Sequence, residues 1–170
     1  MTATRARRTL LGLGAALASA LALSACGFHP RGQATLPFPT VYVDGNTALL
    51  VELKRNIAAG TQTRVVNQAA AAEAVFAIDH ETREKVILSL DTAGRVREYQ
   101  LRYRVGFRVH DGKGRNWIAP GEIQLTRDIS FNDQVLAKEA EELLLYRDMQ
   151  TDMVQQIVRR LSAARLSQES

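Results

Sequence analysis

Apolar and polar residues alternate strictly over one stretch near the middle of the chain. The apolar positions are Tyr99, Leu101, Tyr103, Val105, Phe107 and Val109, and the polar positions between them include Arg102, Arg104 and Arg108. Successive side chains of a β-strand point to opposite faces, so this spacing predicts a strand with one buried face and one solvent-facing face. Such half-buried strands are typical of antiparallel sheets.

Two further strands are expected to flank this one. Val75–Leu90 alternates before it, with a bulge expected around Glu84–Lys85. Trp117–Ile129 returns after Asp111-Gly112-Lys113-Gly114, which is a glycine-rich hairpin signal. Proline cannot donate to a strand ladder, so Pro120-Gly121 predicts a bulge or an edge position in this last strand.

The segment before these strands has a different pattern. Thr40–Val43 and Thr63–Val66 are short segments rich in β-branched residues. The helix between them is expected to start after the N-cap Asn46 and to end at a left-handed Gly60. Because a helix joins the two strands, we expect them to pair in parallel.

The last segment predicts one long helix that begins at Asn132 or Asp133. Apolar residues step by three or four along it: Leu136, Ala140, Leu143, Tyr146, Met149, Met153, Ile157 and Leu161. Each of the two helices has an apolar stripe that must cover a sheet. The predicted fold is therefore α+β, a two-layer sandwich with a mixed, mostly antiparallel β-sheet and two helices packed on one face.

The first residues have the three-part layout of a secretory signal. Three arginines precede an apolar run, which ends at Leu23-Ser24-Ala25-Cys26 with the only cysteine of the chain. This tetrapeptide resembles the lipobox of bacterial lipoproteins, whose cysteine is diacylated before the peptidase cuts in front of it. We therefore expect residues 1–25 to be a removed lipoprotein signal peptide and Cys26 to be lipidated. The alternatives are a buried free cysteine, or a signal cut just before a chance cysteine.

The remaining 145 of the 170 residues are enough for one hydrophobic core. Residues 26–39 are expected to form an acylated tether, in which Phe28, Leu36 and Phe38 are candidates for docking onto the domain. Residues 40–166 are expected to form a single α/β sandwich domain, followed by a frayed tail at 167–170. With one cysteine, no intramolecular disulfide is expected.

The charge of the mature chain argues against nucleic acid as a partner. The formal charge is +4, but three of the 22 basic residues lie in the signal, which leaves 19 basic against 18 acidic residues. A nearly neutral domain lacks the broadly basic surface of nucleic-acid-binding proteins. No second apolar run approaches the ~20 residues of a membrane-spanning helix, so the acyl chains are the expected membrane contact.

Residue types that support catalysis or metal binding are scattered. His29, His80 and His110 lack the spacing of metal ligands, and neither an HExxH nor a GxSxG motif is present. Carboxylate pairs such as Glu81 with Glu84 fall in charged stretches that are expected to be solvated. We therefore expect no catalytic site, no metal site and no cofactor.

The arginine row on the predicted sheet has two interpretations. Neighbouring like charges repel, so Arg102, Arg104 and Arg108 need acidic partners or an anionic ligand. Pairing across strands is the simpler interpretation, with Glu122, Asp128 and Glu81 as candidate partners. Contact with a phosphate or carboxylate of a lipid or partner is the other. Arg95, Arg97 and Lys138 provide further basic positions at a turn and near the start of the last helix.

Three segments resemble lipopolysaccharide-assembly lipoproteins of the LptE type. They are Cys26-Gly27-Phe28-His29-Pro30-Arg31-Gly32, Glu98-Tyr99-Gln100-Leu101, and Val135-Leu136-Ala137-Lys138 with Glu139. The resemblance implies a non-enzymatic lipoprotein anchored on the periplasmic side of the outer membrane. It would plug the lumen of an LptD-type β-barrel, assist assembly of that barrel and help deliver lipopolysaccharide to the cell surface.

The resemblance also implies a lipopolysaccharide-binding site. Family members use basic residues near a hairpin tip and at the start of the last helix, and the second position matches Lys138. The hairpin position aligns with Thr92, which is not basic, so Arg95 and Arg97 become the candidates there. The rival hypotheses are a lipid-anchored adaptor or binding module for another envelope complex, and a periplasmic lipoprotein enzyme.

Overall fold

The computed structural model describes residues 34–130 and 135–166, and of residues 135–138 it describes the backbone alone. The described residues belong to one compact unit. The strands are β1 (Thr40–Val43), β2 (Arg64–Val66), β3 (Ala74–Leu90), β4 (Val96–His110) and β5 (Asn116–Ser130). The helices are α1 (Ala48–Gly60) and α2 (Val135–Ser162), and a 3₁₀ turn spans Ala69–Ala71.

The sheet has the order β2-β1-β3-β4-β5 and is mixed, as the sequence predicts. β1 pairs in parallel with β2 and β3, whereas β3, β4 and β5 are antiparallel. The core joins side chains from one face of the sheet and from both helices: Tyr103, Phe107, Leu53, Ile57 and Met153. The predicted α+β fold with both helices on one face is confirmed.

Helix α1 is capped by residues other than those expected. Thr47 is the N-cap instead of Asn46, and its Oγ1 accepts a hydrogen bond from the Leu50 N–H at 3.4 Å. Gly60 is the last helical residue and does not have a positive φ. The residue that ends the helix is Thr61, which has an extended conformation. The N–H and hydroxyl of Thr61 both donate to the Ile57 carbonyl. The hydroxyl of Thr61 therefore caps the C-terminus of α1 in place of the expected left-handed glycine.

β3 is one continuous strand, and its first register shift lies at Asp79 instead of Glu84–Lys85. Before the shift, Phe76 and Ile78 lie opposite Val109 and Phe107 of the buried face. After it, the residues opposite Val105, Tyr103 and Leu101 are Glu81, Arg83 and Lys85. Residues opposed across a ladder share a face, so one inserted residue turns charged side chains toward the helices.

This shift limits how far the apolar core extends along α2. Met149 and Met153 are fully buried, but Leu143 is 70% exposed and Ala140 is also exposed. The predicted burial of Leu143 and Ala140 is therefore wrong, and the side chain of Leu136 lies outside the described residues. Beyond Asp79, β3 presents charged side chains to the helix, so Ala140 and Leu143 stay exposed while Leu145 and Tyr146 still pack against the core.

The other features of β5 and the tether agree with the sequence. β5 is an edge strand, and its register shifts opposite Arg108, beside Ala119 and Pro120. The predicted docking of the tether is confirmed for Leu36 and Phe38, which are 7% and 1% exposed. Phe28 lies outside the described residues.

The face of the sheet turned away from the helices has one unusual position, Gly106. His80 and Glu122 lie opposite Gly106 on the two neighbouring strands, and His80 Nε2 is 2.7 Å from Glu122 Oε2. A Cβ at position 106 would lie 2.2 Å from His80 Cε1. Glycine therefore lets a histidine–carboxylate contact cross the middle strand.

We predict that Gly106→Ala lowers the free energy of unfolding by about 1–2 kcal/mol, because the His80 ring must move and the contact with Glu122 is lost. Urea unfolding monitored by circular dichroism measures this effect. Gly60→Ala is the matched control: its Cβ meets nothing within 4 Å, and alanine is expected to stabilise helix α1 by about 0.5 kcal/mol. A second change, His80→Ala, should restore most of the loss. Equal stability of Gly106→Ala and the wild type would contradict this explanation of the glycine.

Candidate functional site

The predicted site residues lie at one end of the molecule, or outside the described residues. Arg95 and Thr92 lie in the β3–β4 turn, and Arg97 is in the first residues of β4. Lys138 belongs to the first turn of α2, but its side chain lies outside the described part. Cys26 also lies outside the described residues, so its lipidation stays a prediction. We call residues 83–99 together with residues 135–146 of α2 the hairpin end.

The β3–β4 turn is built around the carboxylate of Asp91. This carboxylate accepts hydrogen bonds from the N–H groups of Ala93 and Arg95, at 2.8 and 2.9 Å, and from Arg95 Nε at 2.8 Å. The backbone N–H of Arg95, more than any other group, lowers the pKa of Asp91. The carboxylate therefore stays ionised and holds the turn closed around Gly94, which has a positive φ.

The β4–β5 turn at the other end of β4 repeats this arrangement. Asp111 accepts from the N–H groups of Lys113 and Arg115 and from Arg115 Nε, and the N–H of Lys113 is the largest cause of its pKa falling to about 2. The shared Asp-x-x-x-Arg pattern shows that Arg95 has a role in closing its turn. Arg95 nevertheless stays 78% exposed. Arg97 is also exposed, and its charge contributes to lowering the pKa of Asp91.

The arginine row pairs with acidic and amide side chains. Arg104 pairs with Glu84, and Arg108 Nη1 donates to Asp79 at 2.5 Å. Arg102 Nε donates to the Gln100 side chain at 2.9 Å. The simpler interpretation is confirmed for Arg104 and Arg108, whereas Arg102 contacts an amide of its own strand. The predicted partners are wrong. Their carboxylates are used elsewhere: Glu122 contacts His80, Asp128 accepts from Gln100, and Glu81 lies on the helix-facing side.

A second charged group, which the sequence did not indicate, lies between β3 and α2. We call it the polar seam, and it consists of Glu81, Arg83, Lys85, Glu142, Tyr146 and Gln150. Lys85 Nζ lies 2.5 Å from Glu142 Oε2, and Arg83 Nη2 donates to Gln150 Oε1 at 2.9 Å. Tyr146 donates to the carbonyl of Glu84 at 2.9 Å. Polar contacts therefore hold the first half of α2, where the apolar core ends. The register shift that creates them has no signal in the alternation of β3.

Aromatic rings complete the polar seam. The Arg83 guanidinium lies 4.8 Å from the ring centroid of Tyr103 and 5.6 Å from that of Tyr146. Tyr103 donates to Glu81 Oε1 at 2.7 Å, and burial, followed by this hydrogen bond, raises its pKa. Burial also raises the pKa of Tyr146, with a further contribution from the negative charge of Glu142. Both phenols therefore stay protonated and act as hydrogen-bond donors.

The hairpin end and the tether lie at opposite ends of the sheet. Val41 of β1 lies beside Ala74, where β3 begins, and Ala34 of the tether bridges to Thr61 beside β2. β3 then runs for 17 residues to the turn, which is roughly 50 Å at the usual rise of a strand. The 28 residues of α2 span ~42 Å.

The described residues offer little that fits other classes of site. No group of three or more His, Cys, Asp or Glu side chains in residues 34–130 and 135–166 is arranged to hold a metal ion. Neither described helix is long and apolar enough to cross a membrane. An open concavity near the tether is lined by residues such as Leu36, Phe38 and Thr63, which provide no charged group.

Comparison with known proteins agrees with this geometry. The chain matches the model of the lipopolysaccharide-assembly family LptE over residues 38–161, from the tether to the end of α2. No significant match is found among curated proteins.

Three solved structures share the fold. The solution structure of uncharacterized lipoprotein B from Nitrosomonas europaea has 47% identity and a TM-score of 0.70, over 81% of this chain and 91% of that chain. Rare lipoprotein B from Shewanella oneidensis has 25% identity and a TM-score of 0.63, over 73% and 94%. A minor lipoprotein from Acinetobacter baumannii supports the fold, with 24% identity, a TM-score of 0.61, and coverage of 82% and 100%.

The family model covers β1 to α2 without interruption, and a relative that is 47% identical has the same fold. The resemblance seen in the sequence is thereby confirmed. The chain belongs to the LptE family of lipopolysaccharide-assembly proteins.

Proposed function

We propose that this chain is an outer-membrane lipoprotein, acylated at Cys26, that plugs an LptD-type β-barrel, helps assemble it and assists lipopolysaccharide insertion at the cell surface. The main support for this proposal is the family match over residues 38–161. The three solved relatives are themselves described as lipoproteins. The lipobox-like Leu23-Ser24-Ala25-Cys26 supplies the thiol that acylation requires. In this proposal residues 1–25 are removed, residues 26–39 are the tether and residues 40–166 are the functional domain.

The length of the domain supports a role as a plug. The distance of roughly 50 Å along β3 compares with a bilayer of about 40–45 Å including its headgroups. The tether leaves from one end of the sheet, and the hairpin end lies at the other. A domain anchored by Cys26 on the periplasmic side would therefore reach across the membrane when it stands inside a barrel.

The outer face of the sheet also suits a polar lumen, which is the usual interior of a large outer-membrane barrel. Arg104 and Arg108 are paired with carboxylates of β3, so this face is polar without being strongly charged. Such a face matches a polar wall through hydrogen bonds. It does not need a matching apolar surface on the partner.

The hairpin end is the proposed contact for lipopolysaccharide. Its phosphates need local cations, and Arg95, Arg97 and Lys138 all belong to this end of the molecule. Arginine can donate two parallel hydrogen bonds to one phosphate, which gives orientation as well as attraction. The proposal includes no catalytic step, because binding and placement are enough for this role.

The direct test of the plug is co-purification. We predict that the mature protein, extracted from outer membranes in mild detergent, is recovered with a β-barrel partner. Cys26→Ala should leave the circular dichroism spectrum unchanged but remove the protein from the outer-membrane fraction. Ser24→Ala, which keeps a small residue in the lipobox, is the matched control and should fractionate as the wild type. Recovery of the wild type as a free monomer, or with another envelope complex in place of a barrel, would refute the plug.

Charge reversal tests the lipopolysaccharide contact. Lys138→Asp and Arg97→Asp should each weaken binding of purified lipopolysaccharide by about tenfold, since a hydrogen bond to a charged group contributes about 1.5–3 kcal/mol. Lys113→Asp is the matched control, because Lys113 is an exposed cation in the turn at the opposite end of β4. Titration with fluorescently labelled lipopolysaccharide measures the affinity. If Lys113→Asp has the same effect as the other two variants, the binding is a non-specific charge effect and the assigned residues are wrong.

A further inference from the structure

Large apolar side chains that remain in solvent are concentrated at the hairpin end. Among the described residues, six large hydrophobic side chains are exposed, and five of them lie there. They are Ile87 at 59%, Leu88 at 46%, Leu90 at 56%, Leu143 at 70% and Leu144 at 54%. The sixth, Val51 at 39%, lies on α1. Singly exposed apolar residues are ordinary, but a concentration of them indicates a binding surface.

The polar seam brings Ile87 of β3 and Leu143 of α2 to the same side of the molecule. Lys85 binds Glu142 at 2.5 Å, and Leu143 directly follows Glu142. Ile87 follows Lys85 by two positions and lies opposite Tyr99, on the same face of β3 as Lys85. A single ion pair thus places an exposed side of the strand next to an exposed side of the helix. We call Ile87, Leu88, Leu90, Leu143 and Leu144 the apolar patch.

Two exposed arginines lie beside the apolar patch at the β3–β4 turn. Arg95 is 78% exposed although its Nε binds the Asp91 carboxylate at 2.8 Å, and Arg97 is exposed in the first residues of β4. Glu98, next to Arg97, accepts a hydrogen bond from the neutral Ser89 hydroxyl at 2.7 Å. The first turns of α2 add the cation Lys138 and the exposed Glu139. The exposed guanidinium groups can therefore bind an anionic headgroup at the turn, beside the exposed apolar side chains of β3.

We propose that the apolar patch binds the acyl chains of an anionic amphiphile whose headgroup lies at Arg95 and Arg97. This inference rests on the proposed function and specifies which part of lipopolysaccharide the hairpin end recognises. Hydrocarbon chains gain about 25 cal/mol for each Å² of apolar surface removed from water. The cations fix where the headgroup lies, and the apolar patch supplies affinity that phosphate contacts alone do not.

The experiment compares purified lipopolysaccharide with the same material after complete alkaline deacylation. Both are titrated against the full mature protein in a constant concentration of non-ionic detergent. The test variant is Ile87→Gln with Leu143→Gln, and the control is Val51→Gln, which also places glutamine at an exposed apolar position. Because these side chains are exposed, all variants should keep the wild-type circular dichroism spectrum and thermal midpoint.

The wild type and Val51→Gln should bind the acylated form more tightly than the deacylated form. The double variant should bind the acylated form at least about tenfold more weakly, because two apolar contacts are removed. Its affinity for the deacylated form should be unchanged. Arg97→Asp should weaken binding of both forms. This pattern separates the acyl-chain contact from the headgroup contact.

Other results would overturn the inference in different ways. If the double variant binds acylated lipopolysaccharide as the wild type does, the apolar patch does not contact acyl chains, and the proposed function is unaffected. If the double variant binds acylated lipopolysaccharide as the wild type does but fails to co-purify with the barrel, the apolar patch contacts the barrel protein instead of acyl chains. If the wild type binds neither form, the proposed lipopolysaccharide contact fails, and the acyl-chain inference fails with it.

Discussion

The register shift at Asp79 determines which side chains of β3 face the helices and which face the outer side of the sheet. One extra residue in β3 reverses which side chains face the helices, from Ile78 before the shift to Glu81 and Arg83 after it. The displaced residue is itself used, because the Asp79 carboxylate binds Arg108 on the outer face. The same shift places His80 opposite Gly106, where the missing side chain leaves room for its ring. A bulge thus organises both faces of the sheet.

The shift divides the molecule into two regions that are stabilised differently. Near the tether, fully buried side chains such as Phe76 and Met153 form the core, and removing one of that kind typically costs 2–5 kcal/mol. At the hairpin end, partly exposed ion pairs such as Lys85–Glu142 hold the helix to the sheet, and pairs of this kind contribute at most about 1 kcal/mol each. Changes at the hairpin end are therefore expected to cost little folding stability, which suits its proposed role as the binding end.

Much of the fold follows from the sequence, because its signals are local. The alternation from Tyr99 to Val109 fixes the buried face of β4, and the short strands around α1 fix the parallel pairing. The shift at Asp79 leaves no such signal. The apolar residues of β3 stay at every second position of the sequence on both sides of it: Phe76, Ile78, Val86 and Leu88. Consequently the polar seam and the exposure of Leu143 were not predictable, since both depend on which face of β3 meets α2. The basic positions of the candidate site were identified from the sequence and related to lipopolysaccharide by the family resemblance, whereas the apolar patch needed the structure.

We expect the end of the sheet opposite the tether to meet lipopolysaccharide while the protein stands in a barrel. Photocrosslinking in living cells tests this expectation, with a photoreactive amino acid placed at Thr92 in the β3–β4 turn or at Gln62 near the tether. We predict a lipopolysaccharide adduct from Thr92 and none from Gln62. Lipopolysaccharide adducts from Gln62 alone, or equally from both positions, would contradict it.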